Sequence, residues 1–196
     1  LNLSSVINKI KFIEGSICDI SLMSKVMAKN DTVVHLAGLA DIVPSIKDSS
    51  KYFDVNVLGT KNVFESAKSK NVKKIIYAAS STCYGLPNLY PTPETAEISP
   101  QYPYALTKWL GELYLTNMGK IYDISIISLR LFNVFGLRSR TSGQYGAVFG
   151  VFLAQLIAGK PLTVVGDGSQ TRDFTYVTDV VDAIESAILY DKKGQH

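Results

Sequence analysis

Tyr104 and Lys108 lie four residues apart in the stretch Tyr104-Ala105-Leu106-Thr107-Lys108. On a helix that spacing is about one turn, so both side chains leave the same face. A free tyrosine phenol has a pKa of about 10, too high for a base at neutral pH. An ammonium on the same face favours the phenolate and is expected to lower that value. The two residues are therefore candidates for a general base with its own tuner. The bland alternative is an ordinary amphipathic helix, because Tyr-x-x-x-Lys arises often by chance. The residues around the pair must decide between the two.

The pair needs a helix to hold it. Pro100 and Pro103 suit a helix start, and Leu106, Trp109, Leu110, Leu113 and Leu115 follow with Glu112 among them, which predicts a helix from Tyr104 to about Met118. Upstream, Lys11 to Glu14 reads as a short strand and Asp19 to Ala28 as a helix capped by Asp19 or Ser21. The run Thr32 to Ala37 reads as a buried parallel strand closed by Gly38. Helical periodicity covers Tyr52 to Lys70, and Lys74 to Ala79 is a second buried strand running into Ser80-Ser81-Thr82. A proline-rich loop spans Gly85 to Pro103. Beyond the Tyr104 helix come a strand over Ile124 to Leu131, a helix over Gly143 to Gly159, a strand over Leu162 to Val165, a turn at Gly166-Asp167-Gly168 and a last helix over Val177 to Leu189.

Strands alternating with helices imply an α/β fold, a doubly wound parallel sheet covered on both faces. In such sheets ligands bind beyond the carboxyl ends of the strands. The ends at Ala37-Gly38, Ser80-Ser81-Thr82, Asn133 and Gly166 are expected to line that edge. A nucleotide-binding sheet of this kind opens with a strand and a Gly-x-x-Gly-x-x-Gly turn, and no such turn occurs in the sequence. The first strand reads like the third of a doubly wound sheet, and Asp191 to His196 stop where another strand is expected. The chain is thus expected to be a fragment, without its first strands, its glycine-rich turn and its tail.

Composition narrows the class. Of 196 residues, 46% are hydrophobic and 19% charged, the profile of a soluble globular protein. No apolar run has the length of a membrane span, and no cleavable signal sequence opens the chain, so no membrane association is expected. Cys18 and Cys83 make no disulfide framework, and with only His35 and His196 beside them no metal site is expected. These features suit a reduced, cytoplasmic setting. A net charge of +3 without a basic arm argues against a nucleic-acid partner.

Several short motifs occur in a fixed order: His35-Leu36-Ala37-Gly38, Asn56-Val57-Leu58-Gly59-Thr60, Ser80-Ser81-Thr82-Cys83-Tyr84-Gly85, Tyr104-x-x-x-Lys108, Arg130-Leu131-Phe132-Asn133-Val134-Phe135-Gly136 and Arg172-Asp173-Phe174. Together they resemble the extended short-chain dehydrogenase/reductase family, in particular its NAD-dependent nucleotide-sugar epimerases that act at C4 of UDP-glucose or UDP-N-acetylglucosamine. The resemblance runs from about Phe12 to Val181. It implies a Rossmann-type NAD-binding domain over residues 1–131 and a partial small substrate-binding region over 132–196, interleaved with it. It implies that Tyr104 takes the proton from the sugar 4-hydroxyl, that Lys108 holds the nicotinamide ribose and lowers the tyrosine pKa, and that Ser80 hydrogen-bonds the same hydroxyl. Leu36, Ala37 and Gly38 match the backbone turn beside the cofactor pyrophosphate. Ser16 and Ile17 match the adenine side, where many relatives carry an Asp after the glycine. Asn56 and Phe132 match further cofactor contacts. Ser81 and Thr82 follow Ser80 on the substrate side, and Asn133 and Arg172 match residues that hold the sugar-nucleotide diphosphate. A guanidinium suits phosphate oxygens; the alternative for Arg172 is a surface ion pair with Asp173 or Asp179. By the same resemblance, the helices over Tyr52 to Lys70 and Tyr104 to Met118 form a homodimer interface.

Related chemistries need other residues. A sugar-nucleotide 4,6-dehydratase uses an Asp-Glu pair directly after the catalytic Ser or Thr, where this chain has Ser81 and Thr82. A decarboxylase usually has Glu in place of Thr82, and an epimerase-reductase of the fucose-synthase kind has Cys in place of Ser81. A non-catalytic cofactor-sensing regulator usually lacks the Tyr or the Lys, and both are present. His35, alone in an apolar strand, is expected to be structural, and Cys83 to pack in the core. Tyr84 and Gly85 are expected to shape the substrate loop.

Overall fold

A computed structural model of the chain describes residues 3–29, 31–138, 148–164 and 166–190. In chain order the elements are α1 (Ile20–Val26), β1 (Thr32–His35), α2 (Ile42–Lys47), α3 (Ser49–Phe53), a π-helical turn (Asp54–Gly59), α4 (Thr60–Ser69), β2 (Lys74–Ser80), a 3₁₀ turn (Ser81–Tyr84) and α5 (Pro103–Tyr122). There follow β3 (Ser125–Leu131), β4 (Asn133–Phe135), α6 (Val148–Ile157), β5 (Phe174–Tyr176) and α7 (Val177–Leu189). The described residues form two compact units, one up to Arg130 together with the segment from Ile184, the other Leu131–Ala183.

The first unit is an α/β layer structure. Its sheet has the order β1-β2-β3. β1 and β2 run parallel, with Thr32 opposite Lys74 and His35 opposite Tyr77. Side chains alternate along β2, which explains its continuous apolar run. Ile75, Tyr77 and Ala79 pack with Phe64 and Ala67 of α4, Leu115 of α5 and Ile126 of β3. Ile76 turns the other way, onto Ile127 and Ala187 of the last turns of α7. Lys74 ties that helix end down: its Nζ donates to the carbonyls of Ala187, Ile188 and Tyr190 at 3.2, 2.7 and 2.6 Å. These are carbonyls that the helix itself leaves unpaired, and a cation there also suits the helix dipole.

The expected α5 starts where the prolines place it, with Pro103 in its first turn, and ends at Asp123 in the left-handed conformation. The Asp19 cap forms, its carboxylate accepting from the Leu22 amide at 3.0 Å. The helix expected from Tyr52 begins instead at Ser49 and is widened at 54–59 into a π-helical turn. α2 was not expected; Pro44 is accommodated because it sits in the first turn, where no amide is needed.

Three expected strands differ. Residues 11–14 form none: Phe12 and Ile13 are exposed, and no described strand lies beside them to supply a ladder. β1 ends at His35, so Leu36 and Ala37 belong to the following turn. Residues 162–164 are not a strand, and Val165 lies outside the described residues. Of the helix expected over Gly143 to Gly159, residues 143–147 lie outside them too, as does the segment from Asp191 to His196.

In the second unit β4 pairs with β5 in parallel, Asn133 opposite Phe174 and Phe135 opposite Tyr176. Asn133 therefore opens a strand rather than closing β3, and Gly166 follows no strand. The expected single edge of four strand ends reduces, in the first unit, to the ends of β1 and β2. The second unit packs around aromatic rings. Phe135 lies 4.7 Å from Phe149 and 5.3 Å from Tyr176, centroid to centroid.

Candidate active site

β2 delivers Ser80 at its carboxyl end, and α5 delivers Tyr104 from its first turn. The Tyr104 hydroxyl donates to Ser80 Oγ at 3.4 Å, and Ser80 Oγ lies 2.9 Å from Thr82 Oγ1. Ser80 also caps the 3₁₀ turn, accepting from the Thr82 amide at 3.3 Å. Thr82 thus orients Ser80, and Ser81 stands half-buried beside them. Tyr52 supports the phenol from the side, its ring edge-on at 6.5 Å from that of Tyr104, while its hydroxyl donates to the Ala40 carbonyl.

One helical turn further on, Lys108 is nearly buried, at 6% exposure. Its Nζ does not reach Tyr104. It sits 4.2 Å from the centre of the Tyr77 ring and close to Gly38. A Cβ on Gly38 would stand 3.7 Å from Nζ and 3.1 Å from Asn56 Oδ1, so a larger residue would crowd the ammonium beside the turn.

The π-helical turn explains how the loop after β1 is held. Asn56, buried within it, accepts from the Leu39 amide at 2.8 Å and donates to the Leu39 carbonyl and to Thr107 Oγ1, each at 3.1 Å. One side chain therefore ties the turn after β1 to α5. A π-helical turn adds a residue to the helical repeat and is frequent at functional sites; here it carries the residue that makes this tie. Thr60 extends the network, donating to the Asn56 carbonyl at 2.7 Å, which leaves Oγ1 to accept from His35 Nε2 at 2.9 Å. His35 is thus a hydrogen-bonded core residue, as expected.

The electrostatics depart from expectation at Tyr104. Burial raises its pKa, the Asp41 charge adds to the rise, and the hydrogen bond with Ser80 only partly opposes it. The lowering expected from Lys108 is not realised, because the ammonium lies against Tyr77. Burial also lowers Lys108, to about 8, against an opposing contribution from Glu112. His35 falls to about 3, by burial first and the Lys108 charge second.

Ser80, Tyr104, Lys108, Asn56 and the Leu36–Gly38 turn are thus gathered in the first unit. Ser16 and Ile17 lie before α1. Asn62 holds that segment by donating to the Ile17 and Cys18 carbonyls, both at 3.1 Å. Phe132, Asn133 and Arg172 belong to the second unit. There Asn133 Nδ2 donates to the Asp173 carbonyl at 2.9 Å, and Phe132 and Arg172 are exposed. Arg172 donates to the Thr171 carbonyl at 2.7 Å, and no ion pair with Asp173 or Asp179 forms among the described residues.

Sequence reasoning passed over two features. Arg130 forks onto Glu112, with Nη2 and Nε 2.8 and 3.0 Å from Oε1, and also donates to the Tyr84 hydroxyl at 2.7 Å and to the Glu94 carbonyl at 3.1 Å. It joins α5 to the proline-rich loop and fixes Tyr84. The other is Tyr77, whose signal was Gly111: a glycine inside a long helix marks a close neighbour. A Cβ there would meet the Tyr77 hydroxyl at 2.7 Å.

The model of the NAD dependent epimerase/dehydratase family matches residues 2–196. A UDP-glucose 4-epimerase of Mycolicibacterium smegmatis is 36% identical over 190 residues, which are 95% of this chain and 60% of that protein. A UDP-N-acetylglucosamine 4-epimerase from Methanobrevibacter ruminantium, solved with UDP-N-acetylmuramic acid, superposes with a TM-score of 0.88 at 33% identity, covering 93% of this chain and 59% of that one. A mutant UDP-glucuronic acid 4-epimerase from Bacillus cereus, solved with NAD and a fluorinated UDP-glucuronic acid, gives 0.86 at 30% identity, covering 97% and 60%. The chain spans about 60% of the length of these relatives.

Proposed function

The chain belongs to the NAD dependent epimerase/dehydratase family, and on that premise we propose that the full-length protein inverts C4 of a UDP-sugar through a transient 4-keto sugar. One observation carries this reading: Tyr104 meets Ser80 at the carboxyl end of β2, and Lys108, one helical turn on, places its ammonium beside Gly38 in the turn after β1.

The residues present fit a nicotinamide dinucleotide. Asn56 braces the turn after β1, and the Lys108 cation lies beside its glycine, Gly38. When bound, NAD supplies the acceptor and donor of the hydride at C4. The chain's own residues move the proton. Ser80 and Tyr104 hold the sugar 4-hydroxyl between their oxygens; Tyr104, as the phenolate, takes its proton and returns it to the same oxygen after the 4-keto sugar has turned over. Burial favours the protonated phenol in the resting chain, so Tyr104 ionises before it acts as the base, and the proton it then takes from the sugar is the one it gives back in the return step.

The remaining assignments follow the family pattern. Ser16, Ile17, Asn56 and Phe132 serve the cofactor; Ser81, Thr82, Asn133 and Arg172 serve the sugar nucleotide. Phe53, Leu58, Leu106 and Leu113 are exposed on the helices assigned to a homodimer. A cytoplasmic setting suits the free thiols of Cys18 and Cys83.

The test is product NMR on the full-length protein given UDP-glucose, UDP-N-acetylglucosamine or UDP-glucuronate, with and without added NAD. The expected product has the galacto configuration, and Tyr104→Phe lowers its rate by about 10²–10⁴-fold. A 4-keto-6-deoxy sugar or a pentose would refute the reading in favour of dehydration or decarboxylation, and no product from any of the three would refute it outright.

A further inference from the structure

Lys108 is a nearly buried cation with an unusual set of neighbours. Among the described residues its Nζ has no ion-pair partner and no hydrogen bond. Around it stand the Tyr77 ring from β2, His35 from β1, Gly38 of the turn after β1, Asn56 of the π-helical turn, and Tyr104 and Glu112 one turn away on its own helix. None takes the place of a counter-ion. Glu112 is engaged by Arg130 at 2.8 Å, His35 is a neutral hydrogen-bonded imidazole, and Tyr104 keeps its proton. What faces the ammonium at close range is the π-face of Tyr77, 4.2 Å from Nζ to the ring centre. Cations within about 6 Å of a ring centre are attracted by its quadrupole, the more so when water is kept away.

The ring is fixed in that pose. Tyr77 is fully buried, with His35 tilted against it at 5.3 Å. Its hydroxyl donates to the Lys108 main-chain carbonyl at 3.3 Å, in space that only a glycine at position 111 leaves open. One tyrosine thus grips the backbone of Lys108 with its hydroxyl and the ammonium with its face.

We propose that Tyr77 is a positioning residue for the Tyr104/Lys108 pair, its ring being the seat that holds the Lys108 ammonium, as a cation, beside the turn after β1. The inference rests on the reading of Lys108 as the lysine of the catalytic pair, and it adds what keeps that lysine charged and in place. The physical need is plain. Burial without a counter-ion favours the neutral amine, and a neutral amine could not attract an anionic ligand beside the turn. An electron-rich face supplies attraction without a second formal charge that would push Tyr104 further from ionising.

The test uses the full-length protein labelled with ¹⁵N-lysine, the Lys108 Nζ resonance being assigned by its loss in Lys108→Arg and followed against pH. The wild-type midpoint is expected at about 8. Tyr77→Phe keeps the ring and should leave it within about twofold in proton affinity. Mono-, di- and trifluorophenylalanine at position 77 keep nearly the same shape while draining the ring face. They should lower the proton affinity stepwise, by about tenfold at the end of the series. A flat series overturns the proposal, because a ring that merely fills space would serve equally well with or without fluorine. Neither nucleotide nor sugar is needed. A protein that epimerises nothing can still give the graded series, and an active one can give the flat one, so the two readings fail separately.

Discussion

His35 should make the fold labile to mild acid, and the size of the effect follows from its surroundings. The imidazole is 3% exposed, and its Nε2 donates to Thr60 in the network that holds Asn56. In the folded chain it titrates at about 3, because burial and then the Lys108 charge oppose its cation. In the unfolded chain it titrates near 6.5. Between these values the unfolded state binds a proton that the folded state refuses, so stability is fully present above about 6.5 and is lost as pH falls toward 3. At pH 5 the native ring is still neutral, and the unfolded ring lies 1.5 pH units below its midpoint. At about 1.4 kcal/mol per unit, the loss is about 2 kcal/mol relative to pH 7.5. For a chain of this length that is about 4–8 °C in Tm. Carboxylates add an acid loss of their own, so the measurement is a comparison. Urea unfolding of the wild type and of His35→Gln is followed at pH 7.5 and pH 5. Glutamine keeps a donor for Thr60 but cannot titrate. The wild type should lose about 2 kcal/mol more than the variant. Equal losses would refute the placement of a neutral, desolvated imidazole at the head of this network.

Two further outcomes follow from packing. Glu112→Gln removes the charge that Arg130 forks onto; the guanidinium, 20% exposed, keeps its bonds to Tyr84 and Glu94 but loses its charge partner, and urea unfolding should show a loss of about 1–3 kcal/mol. Gly111→Ala places a methyl 2.7 Å from the Tyr77 hydroxyl and 3.0 Å from the Asn56 carbonyl, inside a helix where alanine is otherwise the better residue. It should destabilise by about 1–3 kcal/mol rather than stabilise, and shift the Lys108 resonance with it.

Much of the first unit was legible in the sequence. The continuous apolar run of β2 announced a strand buried on both faces, and Ile75 and Ile76 do face opposite layers. The prolines placed the start of α5, and Asp19 placed that of α1. Other elements were not legible, because their partners lie far along the chain. β4 and β5 are three residues each and exist as a pair only because 133–135 meet 174–176. Residues 11–14 have strand-like composition but pair with no strand among the described residues, and composition does not reveal that.

The candidate site divides in the same way. That Tyr104 and Lys108 share a helix face follows from a four-residue separation and the helical repeat, and no tertiary contact can alter it. That Asn56 lies opposite Leu39 and Thr107 depends on a π-helical turn and on three segments meeting. The sign of the Tyr104 shift was likewise a tertiary matter. A lysine one turn away lowers a tyrosine only if its ammonium comes to the phenol, and here the ammonium lies on Tyr77, from a strand about thirty residues earlier, while burial raises the phenol. Covalent spacing sets which side chains can share a face. Desolvation and the choice of partner are set by the distant segments that close over that face, and a linear sequence does not display their arrival.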